Sequence, residues 1–302
     1  MLAVWCRPLV HVGLAILALT TSQLVAAEPV RAKGPGAAVD QQLTSRSRPE
    51  KAPLATNPTA HPLNSVIEYA RGEQDYLRQT LRDFSCRLVK RERIEGFLQD
   101  YQYINMWVRE ESRQGDPVAQ PMSIYLEFLG PQKVAGRRVL FVEGENDGKM
   151  MVRNGGKHFD YVTVNIAPDG ESAREESLVP ITQSGFNRIL AEMINILERH
   201  RKADLSGTNT QVKRIVGAKI NKRPASVIHI VHPQKQPGLE FHEANVFVDD
   251  ALRVPVRVDF SLWPSRANQK PPLAAEYTYT ELQLNPNLPD STFSPARLKS
   301  SR

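Results

Sequence analysis

Leu252-Arg-Val-Pro-Val-Arg-Val-Asp-Phe-Ser-Leu262 alternates apolar and polar side chains without a break. Leu252, Val254, Val256, Val258, Phe260 and Leu262 share one parity; Arg253, Pro255, Arg257, Asp259 and Ser261 share the other. Period two sends successive side chains to opposite faces of a strand, so this segment has one dry face and one wet face. A strand of a parallel sheet, buried on both faces, would read as a continuous apolar run, so the pattern argues for antiparallel pairing. Pro255 has no N–H to donate and requires an edge or a bulge. Phe241–Val248 is the expected partner, reached through Asp249-Asp250-Ala251.

The same alternation recurs on both sides of this segment. Tyr101, Tyr103 and Trp107 share one parity of a strand and Ile104, Met106 and Val108 the other. Met122, Ile124, Leu126 and Phe128 alternate with Ser123, Tyr125 and Glu127. Val139–Val142 and Lys149–Arg153 flank Glu145-Asn-Asp-Gly148, whose Asp-Gly step is a hairpin signal. Phe159–Ile166, Gln211–Ile220, Ala225–Val231 and Ala275–Leu284 are further strands.

Helical spacing appears twice. Leu63, Val66, Ile67, Ala70, Leu77, Leu81 and Phe84 predict an amphipathic helix over residues 63–83. Phe186, Ile189, Leu190, Met193, Ile194 and Leu197 predict another, with Ser184 as its N-cap. The expected fold is α+β: one large curved antiparallel sheet, a half-barrel of about ten strands, covered by two main helices.

The N-terminus reads as an export signal. Arg7 is its positive region, Leu9–Leu19 its apolar core, and Leu24-Val-Ala-Ala27 the small-x-small site of cleavage. The apolar run is shorter than the ~20 residues a helix needs to cross a bilayer. Cleavage after Ala27 is expected, leaving no transmembrane segment in the mature chain and a periplasmic or secreted location. Residues 28–61 are rich in Pro, Ala, Gly, Ser and Thr without apolar periodicity and read as a disordered linker. Residues 62–298 then form a single folded domain.

An apolar share of 41% and a charged share of 24% fit a globular body. Of the +6 net charge, Arg7 supplies +1 and the linker +2, leaving +3 for the body. Its basic residues are interleaved with acids, as in Lys90-Arg-Glu-Arg93 and Arg109-Glu-Glu-Ser-Arg113, which reads as a solvated face and argues against nucleic acid. Cys6 leaves with the signal, so Cys86 has no internal disulfide partner and is expected to be a small buried hydrophobe.

Motifs for chemistry are scarce. There is no His-Glu-x-x-His and no cysteine pair, and His229 and His232, three apart, project to opposite faces, so no metal site is expected. Glu143, Glu145, Asp147 and Gly148 have spacings like the start of a calcium loop, but Asn154 stands where the closing glutamate belongs, and a hairpin turn is expected. Ser184-Gly185 lacks the preceding glycine of a nucleophile elbow. No catalytic residue and no cofactor is assigned. What remains is apolar weight on the sheet: Tyr103, Trp107, Ile124, Leu126, Phe128 and Leu140 are the candidate ligand-binding residues. They are either core sealed by the two helices or part of a face left open for an acyl chain.

Three stretches carry a family resemblance: Cys86–Ile94, Met122–Phe128 and Gly136–Lys149, with the middle block fairly specific. With Leu252–Arg257, Tyr277–Asn285 and Asp290–Phe293 they resemble an exported bacterial family of unknown function, fifteen-seventy-one, over residues 64–295. More distantly, the order of elements is similar to the periplasmic lipoprotein carrier and outer-membrane lipoprotein receptor superfamily, which implies a half-barrel holding acyl chains beneath helices. An envelope-stress sensor that regulates an anti-sigma factor shares that fold. The resemblance transfers no catalytic residue. It supports an exported, non-enzymatic protein that binds a lipid or the acyl chain of a lipoprotein. The alternative is a cell-envelope interaction or stress-sensor module, using a sheet edge or the basic residues Lys90 to Arg93, Arg253 and Arg257 to hold a protein partner.

Overall fold

The computed structural model describes residues 60–111, 120–155 and 162–299. The export signal and nearly all of the linker lie outside the described residues, as does the first part of the strand expected from Phe159. Eleven strands form one continuous antiparallel sheet in the order β7-β6-β5-β4-β3-β1-β12-β11-β10-β9-β8, with the two-residue β2 paired to β1. The strands are β1 (Asp83–Ile94), β2 (Phe97–Leu98), β3 (Gln102–Arg109), β4 (Ser123–Gly130), β5 (Arg138–Val142) and β6 (Met150–Arg153). The remainder are β7 (Thr163–Ile166), β8 (Gln211–Ile220), β9 (Arg223–Val231), β10 (Glu243–Asp249), β11 (Pro255–Ser261) and β12 (Leu273–Leu284). Neither β7 nor β8 pairs further, so the sheet is open and is not closed into a barrel. Two 18-residue helices, α1 (Leu63–Thr80) and α3 (Phe186–Ala203), accompany the short α2 (Glu171–Arg174) and α4 (Pro295–Lys299).

The α+β fold expected from periodicity is therefore present, with informative departures. Helix α1 ends at Thr80, and Leu81 is already extended. Its C-terminal apolar residues belong to the connection and to β1, where Phe84 is fully buried. The eleven-residue alternation around Phe260 contributes only β11, because Arg253 adopts a left-handed conformation (φ 59) and ends the β10–β11 turn. Pro255 sits opposite Val248 at the register shift, where an extra residue on β11 removes the need for its N–H. Ser184 does not cap α3: the N-cap is Gly185. The chain folds back between β5 and β6 through Asn146 and Asp147, both at positive φ (51 and 54), so this loop is a turn and not a calcium loop.

One face of the sheet is covered by α1 and α3, which also pack on each other. Phe186, at the start of α3, stacks on Phe84 and Tyr279 with ring centroids 4.5 and 5.2 Å away. Helix α3 is pinned at both ends. At its N-terminus the carboxylate of Glu110 accepts the side-chain N–H of Asn187 at 3.3 Å and the backbone N–H groups of Phe186 and Asn187. Gly185 is required for this approach, since a Cβ there would stand 2.7 Å from Glu110 Oε2. At its C-terminus the backbone N–H of Glu240 donates to His200 Nε2 (3.0 Å), which leaves Nδ1–H to donate to His232 Nε2 (2.9 Å). His232 Nδ1–H then faces Thr210 Oγ1, whose hydroxyl donates to Asp204 at 2.7 Å. Both imidazoles are wholly buried, and burial lowers their pKa values to about 3 for His200 and about 4 for His232.

Candidate functional site

Beneath α1 and α3 lies a dry chamber. Val66 and Ala70 of α1 and Leu190, Met193 and Leu197 of α3 form its roof; Ile228, Ile230, Ala244, Val246 and Phe260 of β9–β11 form its floor. These strand residues share the helix-covered parity, as the register Ile230↔Ala244↔Phe260 and Ile228↔Val246↔Val258 shows. Apart from Tyr69, Glu73 and Arg253, every lining residue is apolar. Arg253 pairs with Glu73 at 2.8 Å and stacks on Tyr76 at 3.9 Å, tying α1 to the β10–β11 turn. The void, partly open to the outside, is ≈ 50 Å³, well short of the ~150 Å³ cavity that admits a molecule the size of benzene. An acyl chain fits only when the roof moves. Helix α1 is held to α3 by Arg71–Glu198 at 2.9 Å and by the Gln74 side chain on the Asn187 carbonyl at 3.0 Å.

Two strands along the same face, the chemistry changes. Phe84, Cys86, Leu88, Lys90 and Glu92 share the covered parity of β1, facing Tyr279 and Tyr277 of β12. Burial alone pushes the Cys86 thiol up, as expected of a small core residue. Lys90 and Glu92 are buried too, 7% and 3% exposed, which corrects the reading of Lys90–Arg93 as a solvated face. Lys90 Nζ donates to Glu92 Oε2 and to Ser177 Oγ, both at 2.7 Å, and Tyr277 donates its hydroxyl to Glu92 Oε1 at 2.7 Å. Lys90 Nζ thus lies between Glu92 Oε2 and Ser177 Oγ as a donor to both. Glu110, read as part of another solvated run, is likewise buried, and burial raises its carboxyl to about 7.

Ser177 belongs to a strap, residues 167–185, that joins β7 to α3. Glu176 of the strap pairs with Arg137, whose guanidinium lies over the Phe128 ring at 5.8 Å. Among the described residues, four buried side-chain polar atoms have no hydrogen-bond partner: Gln102 Oε1, Arg137 Nε, Glu110 Oε1 and Asn187 Oδ1. Arg137 pairs with Glu176 of the strap and Gln102 lies opposite Lys90, whereas Glu110 and Asn187 meet at the start of α3.

The six residues expected to bind ligand do not form one surface. Ile124, Leu126 and Phe128 lie on the helix-covered face, opposite Val108, Met106 and Ile104. Tyr103, Trp107 and Leu140 lie on the other face, with Tyr125. There Phe293 and Leu298 of the C-terminal segment pack on Tyr125 and Leu140, with Trp107 against the same cluster. Arg297 stacks on Trp107 and Tyr125, 4.2 Å from each ring. Period two forces this division, because Ile124 and Tyr125 are consecutive and Trp107 pairs with Tyr125. Tyr103 is half-buried on the same side as Trp107. The chamber's floor was legible as alternating strands, but nothing in the alternation said where the cover is thin. The Lys90–Glu92 pair was legible as well: Phe84-x-Cys86-x-Leu88 sets a dry parity that runs straight into both residues.

Among the described residues no group of three His, Cys, Asp or Glu side chains is placed to hold a metal, and no helix is long and apolar enough to cross a membrane. No curated protein matches the chain. Solved structures similar to it include a DUF1329 family protein from Desulfovibrio piger, at 12% identity and TM-score 0.36, covering 79% of this chain and 100% of that one. The lipoprotein LppX of Mycobacterium tuberculosis is similar at 13% identity and TM-score 0.37, covering 75% of this chain and 98% of LppX. A LolA superfamily protein from Nitrosomonas europaea follows at 8% identity and TM-score 0.31, covering 76% and 98%. Residues 81–300 match the family model described as "Protein of unknown function (DUF1571)", and the chain belongs to that family.

Proposed function

We propose that this is an exported, non-enzymatic binding protein that holds a hydrophobic ligand, a lipid or the acyl chain of a lipoprotein, between α1 and the sheet. The observation that carries the reading is the chamber itself: a seam lined by apolar side chains except for Tyr69, Glu73 and Arg253, roofed by a helix that ion pairs and side-chain hydrogen bonds hold to its surroundings. Burying an acyl chain there gains about 25 cal/mol per Å² of apolar surface, offset by the separation of α1 from its packing. The export signal expected from residues 1–27 supports the reading, since it would deliver the folded body outside the cytoplasm.

A fluorescent fatty acid whose probe sits at the end of its tail tests this. Saturable binding with a blue-shifted emission is expected for the wild-type protein. Ala244→Phe fills the chamber floor and should abolish the shift, while Trp107→Phe, on the opposite face, should leave it unchanged. Absence of saturable binding, or equal binding by Ala244→Phe, overturns the proposal.

A further inference from the structure

The polar cluster on β1 and β12 lies beside the dry chamber on the same face. Phe260, in the chamber floor, is opposite Ala275, and Ala275 is opposite Glu92. Two strand spacings separate them, about 10 Å. An amphiphile whose tail enters the chamber therefore has its head within reach of Lys90 and Glu92. That position is now taken by Ser177 Oγ, which accepts from Lys90 Nζ at 2.7 Å and faces Glu92 Oε1 at 3.3 Å and the carbonyl of Val179 at 3.0 Å.

We infer that the strap is a lid over a headgroup site, and that Ser177 occupies the place of a ligand hydroxyl. This rests on the proposed hydrophobic-ligand reading and adds the head it selects. The site favours a neutral, hydroxyl-bearing amphiphile of the monoacylglycerol kind over an anionic one. Lys90 and Glu92 already balance each other in a buried setting, so a carboxylate or phosphate beside Lys90 would stand next to Glu92 as an uncompensated buried charge. A ligand hydroxyl can accept from the ammonium and donate to the carboxylate; Ser177 accepts from the same ammonium, while its own proton has the Val179 carbonyl nearer (3.0 Å) than Glu92 Oε1 (3.3 Å). The unpartnered Gln102 Oε1, on the same face of β3 opposite Lys90, and Arg137 Nε, beside Glu176, offer an acceptor and a donor to a second hydroxyl or an ester carbonyl.

A tail-labelled monoacylglycerol and the fatty acid of the same chain and label separate the outcomes. The monoacylglycerol should bind about tenfold more tightly or better, the margin set by an unpaired buried charge. Ser177→Ala removes the competing hydroxyl and should tighten monoacylglycerol binding about fivefold, while Ser177→Thr, which keeps the hydroxyl, should restore wild-type affinity. Equal or tighter binding of the fatty acid, or unchanged monoacylglycerol affinity in Ser177→Ala, overturns the headgroup site and leaves the apolar chamber standing. Failure of both probes to bind the wild-type protein overturns the chamber and the headgroup site together.

Discussion

The floor beneath α1 and the neighbouring floor beneath the strap belong to one sheet face, yet they are built on opposite principles. Under α1 the seam is held by apolar contact, with its ion pairs and hydrogen bonds between side chains of the roof and its surroundings. Under the strap, Lys90, Glu92 and Tyr277 form a buried, directional network, and polar atoms are left without partners. Apolar contact is non-directional and reforms after separation. A buried ion pair specifies one geometry and penalises loss of either partner. A face made this way divides its labour, with one end accommodating bulk and the other choosing chemistry.

The largest expected effect comes from breaking the polar end on one side only. Lys90→Met leaves Glu92 buried without its cation and should cost about 3–5 kcal/mol in denaturant unfolding. Lys90→Met with Glu92→Leu should recover most of that loss, to within about 2 kcal/mol of wild type. A double variant as unstable as the single one would show that the pair carries the packing of this face, not only its own charge balance.

The next effect is on pH dependence. His200 and His232 have folded pKa values far below the ordinary 6.5. The unfolded chain therefore binds more protons below pH 6.5, and each histidine lowers stability by about 1.4 kcal/mol per pH unit as the pH falls toward 4. Glu110 acts the other way. Its folded pKa of about 7 lies above the ordinary 4.5, so its contribution is complete below 4.5 and is lost as the pH rises through 7. Between pH 4.5 and 6.5 the two histidines outweigh it, and stability should rise with pH. Glu110→Gln should steepen that rise by about 1.4 kcal/mol per pH unit. An unchanged slope would mean that Glu110 does not titrate in this window.

The smallest effect on stability is expected at the apolar end. Arg253→Ala removes a half-exposed ion pair with Glu73 and should change unfolding free energy by less than about 1 kcal/mol. It should nevertheless speed uptake of the tail-labelled fatty acid, because it frees α1 from the β10–β11 turn. A large loss of stability with unchanged uptake would make the pair a structural rivet.

How far the sequence could be read follows the same division. The dry end is visible in bare alternation: β10, β11 and the apolar stripes of α1 and α3 lie close to where the periodicity places them, save that Leu81 and Phe84 fall beyond the end of α1 and β11 begins only at Pro255. The central strand β1 escapes a reading by charge alone, because Lys90, Arg91, Glu92 and Arg93 resemble a wet surface. Parity would have shown two of them pointing inward. Face assignment failed for a different reason. Tyr103, Trp107 and Leu140 were grouped with Ile124, Leu126 and Phe128 by apolar character, but their parity places them on the far side, under Phe293 and Leu298 of the C-terminal segment. A segment more than a hundred residues away cannot be inferred from local periodicity.

The most direct test of a chamber that opens is a distance across it. Spin labels at Glu68→Cys, on the exposed side of α1, and Lys222→Cys, in the exposed β8–β9 turn, report the separation of roof and sheet. Addition of a saturating monoacylglycerol should lengthen that distance by about 4 Å or more, the thickness of one layer of carbon contacts. Binding that saturates while the distance stays fixed would contradict a ligand seated beneath α1.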